Sequence, residues 1–144
     1  MMTREKASEL ARKALEARHY SYHPYSGFAV GAALLTRSGK IYTGCNIENA
    51  AFTPTNCAER TAFFKAVSEG ERDFTAIAVA GGAEDAALPL EDCPPCGVCL
   101  QVMMEFCDPA FFEVILVRSE DDYSILTLAE LLPKGFGPGN VREE

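Results

Sequence analysis

Apolar residues recur at Ala7, Leu10, Ala11 and Ala14, the three-and-four spacing of one helix face, behind a capping Thr3. The pattern predicts an amphipathic helix over 3–19. Pro24 and Gly27 in Tyr22-His23-Pro24-Tyr25-Ser26-Gly27 break that period. Two apolar runs follow, Phe28 to Leu35 and Ile41 to Ile47, split by Arg37-Ser38-Gly39-Lys40, which is the pattern of a β-hairpin. Asn56 stands as a cap before a second helix from Cys57 to about Glu69. Its Ala58, Ala62, Phe63 and Ala66 share one face, and Gly70 is its stop.

The next run, Phe74 to Ala80, is apolar at nearly every position. A strand of that kind is buried on both faces and needs helices on both sides of its sheet. Gly81 to Pro95 reads as a loop, with Pro95 as the first residue of a helix through Cys99, Met103 and Phe106. Two strands, Phe112 to Val117 and Tyr123 to Thr127, flank an acidic turn. A short helix from Leu128 to Leu132 ends at Pro133, and a Gly-rich tail starts at about Lys134. The order α-β-β-α-β-α-β-β-α predicts an α/β fold in three α/β/α layers, with a mixed sheet of about five strands, as one domain over 1–144. No internal repeat interrupts it.

Charge narrows the partners. Thirteen basic against 21 acidic side chains give a net charge of −8. Affinity for a phosphate backbone comes from Lys and Arg neutralising phosphates, so this balance argues against nucleic acid and for a small uncharged molecule. The charged start Met1-Met2-Thr3-Arg4-Glu5-Lys6 leads into no apolar segment, and no run approaches the ~18 apolar residues of a membrane span. The expectation is a cytoplasmic, reducing setting without membrane contact. There the six cysteines are metal ligands or free thiols rather than disulfides.

Three of those cysteines carry the candidate chemistry. Cys96 and Cys99 sit three apart on a helix start, so their sulfurs project to one side. Cys57 opens the other helix. Two helix amino termini meeting at one point would favour three thiolates, and three protein ligands leave a zinc ion one open position, the mark of a catalytic site. Zinc with three thiolates is net negative, and Arg60, three residues after Cys57, is placed to donate to the sulfurs. Glu59 has two readings, a proton carrier beside the metal or the partner of Asn56 in a capping box. Cys-x-x-Cys alone equally suits a redox dithiol or half of a zinc finger. Joined to Cys57-Ala58-Glu59 and a preceding proline, it matches the pattern of zinc nucleobase deaminases. Cys45, Cys93 and Cys107 lie outside that pattern.

At larger scale the chain resembles the small homotetrameric cytidine deaminases, from about Leu10 to Phe136. The resemblance rests on Pro24 to Ala33, Gly44-Cys45-Asn46-Ile47-Glu48-Asn49-Ala50, Cys57-Ala58-Glu59-Arg60-Thr61, Pro95-Cys96-Gly97-Val98-Cys99 and Glu130-Leu131-Leu132-Pro133. It implies one zinc per subunit on Cys57, Cys96 and Cys99. It implies hydrolysis of cytidine or deoxycytidine to uridine or deoxyuridine and ammonia, with zinc-activated water attacking C4 and Glu59 shuttling protons. Asn46 and Glu48 would bind the ribose 3′-hydroxyl, Phe28 would line the pocket, and the Ala58 amide would meet the pyrimidine carbonyl. Phe136 would reach a neighbouring subunit's base in a homotetramer. Pyrimidine salvage is the implied role.

Three positions depart from the family pattern: Pro94 replaces a usual serine, Leu100 a usual arginine and Phe52 a frequent tyrosine. They touch neither a ligand nor Glu59. The rival readings are a deaminase of a nucleoside-like antibiotic such as blasticidin S or of bases in RNA, an inactive zinc-stabilised module, and a thiol–disulfide protein using Cys96 and Cys99.

Overall fold

The computed structural model describes residues 2–142. Helix α1 spans Arg4–Ala17 and is capped by the Thr3 hydroxyl, which accepts from the Lys6 amide at 3.1 Å. A 3-10 turn, Arg18–Tyr20, carries the chain to β1, Phe28–Thr36, and β2 follows at Ile41–Cys45. Helix α2 covers Ala58–Ser68, β3 Phe74–Ala83 and α3 Gly97–Phe106. Strands β4, Glu113–Ser119, and β5, Asp122–Thr127, precede the one-turn helix α4 at Leu128–Leu131. A 3-10 turn at Pro138–Asn140 orders part of the tail, where the sequence shows no periodicity.

The five strands form one mixed sheet in the order β2-β1-β3-β4-β5. Only β3 and β4 are parallel, joined by the α3 crossover, and the other three pairings are antiparallel. Alternate residues of the same strands serve two separate cores, as the two-residue period of a strand requires. Ala32, Leu34, Ile77, Val79, Val114 and Leu116 face α2, α3 and α4. Ala33, Leu35, Ala76, Ala78, Ala80, Ile115 and Val117 face α1. The three-layer expectation holds.

The two cores differ in make-up. On the α2/α3 side Phe63 is fully buried and lies 5.0 to 6.2 Å, ring centre to ring centre, from Phe74, Phe106 and Phe112. On the α1 side the helix contributes Ala7, Leu10, Ala11 and Ala14 against a strand surface rich in alanine. Glycine sets the spacing at two crossings. A Cβ on Gly31 would lie 2.0 Å from the Ala14 carbonyl oxygen, and one on Gly44 would lie 2.5 Å from that of Ala58. Helices α1 and α2 therefore rest directly on strand backbone.

The start of β1 and the ends of β2 and β3 fall at one edge of the sheet, since Phe28 pairs with Ala83 and Gly31 with Cys45. Arg18 fastens this edge: its guanidinium donates to the carbonyls of Ala29 at 2.9 Å and of Gly82 and Ala83 at 3.1 Å. The loop from Glu84 to Cys96 returns over it, held by Leu90, 4% exposed, and by an ion pair from Arg118 to Asp92. Everything chemically notable lies here.

Candidate metal centre and catalytic residues

Helices α2 and α3 both start at this edge, and each is preceded by a cysteine in extended backbone, Cys57 and Cys96. Two sequence expectations shift as a result. Asn56 is not the cap of α2: its backbone pairs with Ile47 and its side-chain amide donates to the Thr61 hydroxyl at 3.2 Å. Pro95 does not open α3, which begins two residues later at Gly97, leaving Pro95 buried in the extended approach. Cys96 is consequently the cap and Cys99 lies in the first turn, so both sulfurs sit beside unpaired helix amides. Thr61 steadies the α2 end, its hydroxyl 3.0 Å from the carbonyls of both Cys45 and Cys57.

The sulfurs of Cys57, Cys96 and Cys99 all lie within 4.8 Å of one another, the one such three-residue grouping among the described residues. Cys57 Sγ is 3.9 Å from Cys96 Sγ, which is 3.5 Å from Cys99 Sγ. Sulfurs at about 2.3 Å from a tetrahedral zinc stand about 3.8 Å apart. The spacing fits the ion. Hydrogen bonding from the Cys99 thiol, then from Arg60, draws the Cys57 thiol down to about 5 against the effect of burial. Cys99 moves up for the reciprocal reason, with Cys57 as the leading cause. Zinc binds cysteine as thiolate, so an ion here would displace the remaining thiol protons.

Arg60 donates from Nη2 to Cys57 Sγ at 3.2 Å, as the spacing on α2 predicts. Its buried Nε has no partner, so the side chain is held for its charge near sulfur rather than for a full set of hydrogen bonds. Glu59 is 4% exposed. Burial pushes its carboxyl up to about 7; its own backbone amide and Arg60 pull down while Cys57 adds to the rise. No capping box forms at α2. The capping reading of Glu59 falls, and what stands is a buried acid beside the thiol cluster, able to hold or release a proton near neutral pH.

Four other expected residues line the same edge. Ala58 is the first residue of α2, fully buried, and its amide lies where no intrahelical acceptor exists. Phe28, 42% exposed, begins β1. Asn46, just past β2, accepts at Oδ1 from Val30 N–H at 2.9 Å and from the Ser21 hydroxyl, and donates from Nδ2 to the Phe28 carbonyl at 2.8 Å. Glu48 accepts from the amides of Tyr25 and Ser26 and from the Ser26 hydroxyl, and that hydroxyl first, then the amides, holds its carboxyl below the usual range. Phe136 is 60% exposed, its carbonyl accepting from Gln101 on α3 at 2.8 Å. The sequence reading missed Ser21 and His23, which join Asn46 only through contacts made in three dimensions.

Two of the three departures now have places. Leu100, 8% exposed, joins the core between α2 and α3, whereas Phe52 projects from its loop at 91% exposure. Cys93 rests against Gly81, and burial pushes its thiol up to about 11.

Known proteins resemble this chain in sequence and fold. The family described as the cytidine and deoxycytidylate deaminase zinc-binding region matches residues 4–114. A cytidine deaminase of Sporosarcina psychrophila is 49% identical over 128 residues, covering 89% of each chain. That of Halalkalibacterium halodurans is 51% identical over 127 residues, 88% of this chain and 91% of the other. Among solved structures, the cytidine deaminase from Burkholderia pseudomallei superposes with a TM-score of 0.78 at 44% identity, covering 94% of this chain and all of its own (100%). The Mycobacterium tuberculosis enzyme gives 0.72 at 34% identity, over 90% and 95%. Matched by the family over residues 4–114 and by relatives about half identical across most of its length, the chain belongs to the cytidine and deoxycytidylate deaminase family.

Proposed function

We propose that the protein hydrolyses cytidine and deoxycytidine to uridine and deoxyuridine with release of ammonia. The observation that carries this reading is Glu59, a nearly inaccessible carboxyl raised to about 7 beside three converging sulfurs. A zinc ion held by Cys57, Cys96 and Cys99 supplies Lewis acidity and lowers the pKa of a water molecule. Glu59 takes a proton from the attacking water and passes it to N3 of the base. It then takes the second proton from the hydroxyl newly bonded to C4 and gives it to the amino group, which leaves as ammonia while the C4 carbonyl forms. A carboxyl near 7 suits both directions of transfer, whereas an ordinary carboxylate would hold a proton too weakly for the second.

The remaining residues grip the nucleoside. The Ala58 amide is a free donor for the pyrimidine carbonyl, and Phe28 packs against the base. Asn46 retains one Nδ2 hydrogen after its bond to the Phe28 carbonyl, and Glu48 retains unused acceptor capacity on its carboxylate. A hydroxyl is both donor and acceptor. One amide hydrogen and one carboxylate oxygen therefore satisfy the ribose 3′-hydroxyl from both sides.

Phe136 belongs to this reading through assembly. A largely exposed phenylalanine held by its backbone to α3 is suited to covering another subunit's base, in a homotetramer whose sites are shared. Exposed Tyr20, Tyr25, Phe52 and Val141 offer apolar surface for such contacts. Recovery of nucleosides in the cytoplasm is the matching physiological role. Among the described residues no helix is long and apolar enough to cross a membrane. The test is to mix zinc-loaded protein with cytidine and follow the ultraviolet change as the 4-amino group leaves. Steady conversion to uridine that stops on chelation is expected, and a folded, zinc-loaded protein that leaves cytidine intact refutes the reading.

A further inference from the structure

The loop before β1 holds a histidine with both ring nitrogens engaged. The His23 side chain is 12% exposed, with Nε2 3.5 Å from a carboxylate oxygen of Glu84, just past β3. Nδ1 is 2.8 Å from Ser21 Oγ. Ser21 Oγ in turn bonds Asn46 Oδ1 and lies 3.3 Å from the Asn46 carbonyl oxygen. A continuous chain, Glu84–His23–Ser21–Asn46, thus crosses the rim of the site. It ends on a residue assigned above to the ribose.

The chemistry of its ends decides where the hydrogens lie. The Val30 N–H only donates and the Phe28 carbonyl only accepts, so Asn46 turns Oδ1 to Val30 and Nδ2 to Phe28. Ser21 has one hydroxyl hydrogen, and both Asn46 atoms within its reach are acceptors. That hydrogen points at Asn46, so Ser21 Oγ accepts from His23, and Nδ1 carries a hydrogen. Nε2 lies on the side of the Glu84 carboxylate, 3.5 Å away. With both acceptor positions of Oδ1 taken, by Val30 N–H and by Ser21, the Asn46 amide has one polarity left to offer.

We propose that His23 is a positioning residue that, through Ser21, fixes Asn46 as a pure donor toward the ribose 3′-hydroxyl and so sets selectivity for nucleosides that carry it. The inference rests on the deaminase reading. Without the ring at 23 the Ser21 hydroxyl is free to turn away, Oδ1 regains an open acceptor position, and the amide no longer rejects a donor in place of the hydroxyl oxygen.

The experiment compares cytidine with 3′-deoxycytidine on native, His23→Ala, His23→Asn and Ser21→Ala enzyme, with zinc content measured for each. His23→Ala is expected to raise KM for cytidine about fivefold, the worth of one neutral hydrogen bond, with kcat and zinc retained and KM for 3′-deoxycytidine unchanged. His23→Asn keeps an N–H donor where Nδ1 stood and should recover most of the loss. Ser21→Ala removes only a hydroxyl and makes the same cut should His23→Ala fold poorly. A KM rise equal for the two substrates, or none for cytidine, overturns the inference while the deaminase reading stands. Native enzyme that converts neither substrate brings down both.

Discussion

Replacing Glu59 by glutamine removes a titrating proton from the most buried acidic position among the described residues and keeps its shape. In the fold this carboxyl titrates near 7 against an ordinary 4.5, chiefly because it is buried, with 4% of the residue exposed. The folded state therefore binds the proton more tightly than the open chain. Its stabilising contribution is fully present below 4.5 and is lost as pH rises through 7. At about 1.4 kcal/mol per pH unit the whole loss is about 3 kcal/mol, of which about 2.5 kcal/mol falls between pH 5 and pH 8. Glutamine does not titrate. In metal-free protein, Glu59→Gln should gain about 2.5 kcal/mol on the native chain between those pH values, read as the difference in urea unfolding free energy. With zinc restored, the same substitution should cut turnover by about 10²- to 10⁴-fold, the range of a lost general acid–base group. A stability difference equal at both pH values would refute the burial argument, and near-native turnover would refute the proton-carrier role.

Two more perturbations probe the frame. Arg60→Gln deletes the charged donor 3.2 Å from Cys57 Sγ and should weaken zinc binding about 10- to 100-fold, measured by competition with a chromophoric chelator; unchanged affinity would leave Arg60 no part in the centre. Gly31→Ala forces a methyl to within 2.0 Å of the Ala14 carbonyl oxygen, with backbone and no soft side chain to yield. A loss of about 3 kcal/mol or more is expected from urea unfolding, and a change within about 0.5 kcal/mol would mean that α1 lifts freely off β1.

The chemistry was more legible than its supports. Local periodicity sufficed for all five strands and for setting Arg60 on the face of Cys57, whereas grouping Cys57, Cys96 and Cys99 with Glu59 needed the match of the two cysteine segments to the deaminase pattern. Helix starts were less readable because tertiary bonds outbid the usual caps. Asn56 would cap α2 on propensity, yet its backbone is committed to Ile47 and its amide to Thr61. Pro95 fits a first helical turn, yet the chain stays extended for two further residues so that Cys96 can cap α3. The Ser21–His23–Asn46 contact bridges residues 25 apart, Ser21 to Asn46, across a loop with no period, and nothing in the linear pattern announces it.

The unlike make-up of the two cores has a consequence for how such a protein can change over generations. On the α1 face, alanine and glycine hold helix and sheet at near-backbone distance. Enlargement at Gly31, where a Cβ would meet the backbone of α1, has nowhere to go. On the α2/α3 face, Phe63, Phe74, Phe106, Phe112 and Met103 form a mass of large side chains in which volume lost at one position can be regained at another. Both helices that start at the three clustered sulfurs ride on this side. Drift in substrate preference or working temperature can thus proceed by trading bulk beneath α2 and α3, while the α1 layer stays a fixed datum against which every such adjustment is made.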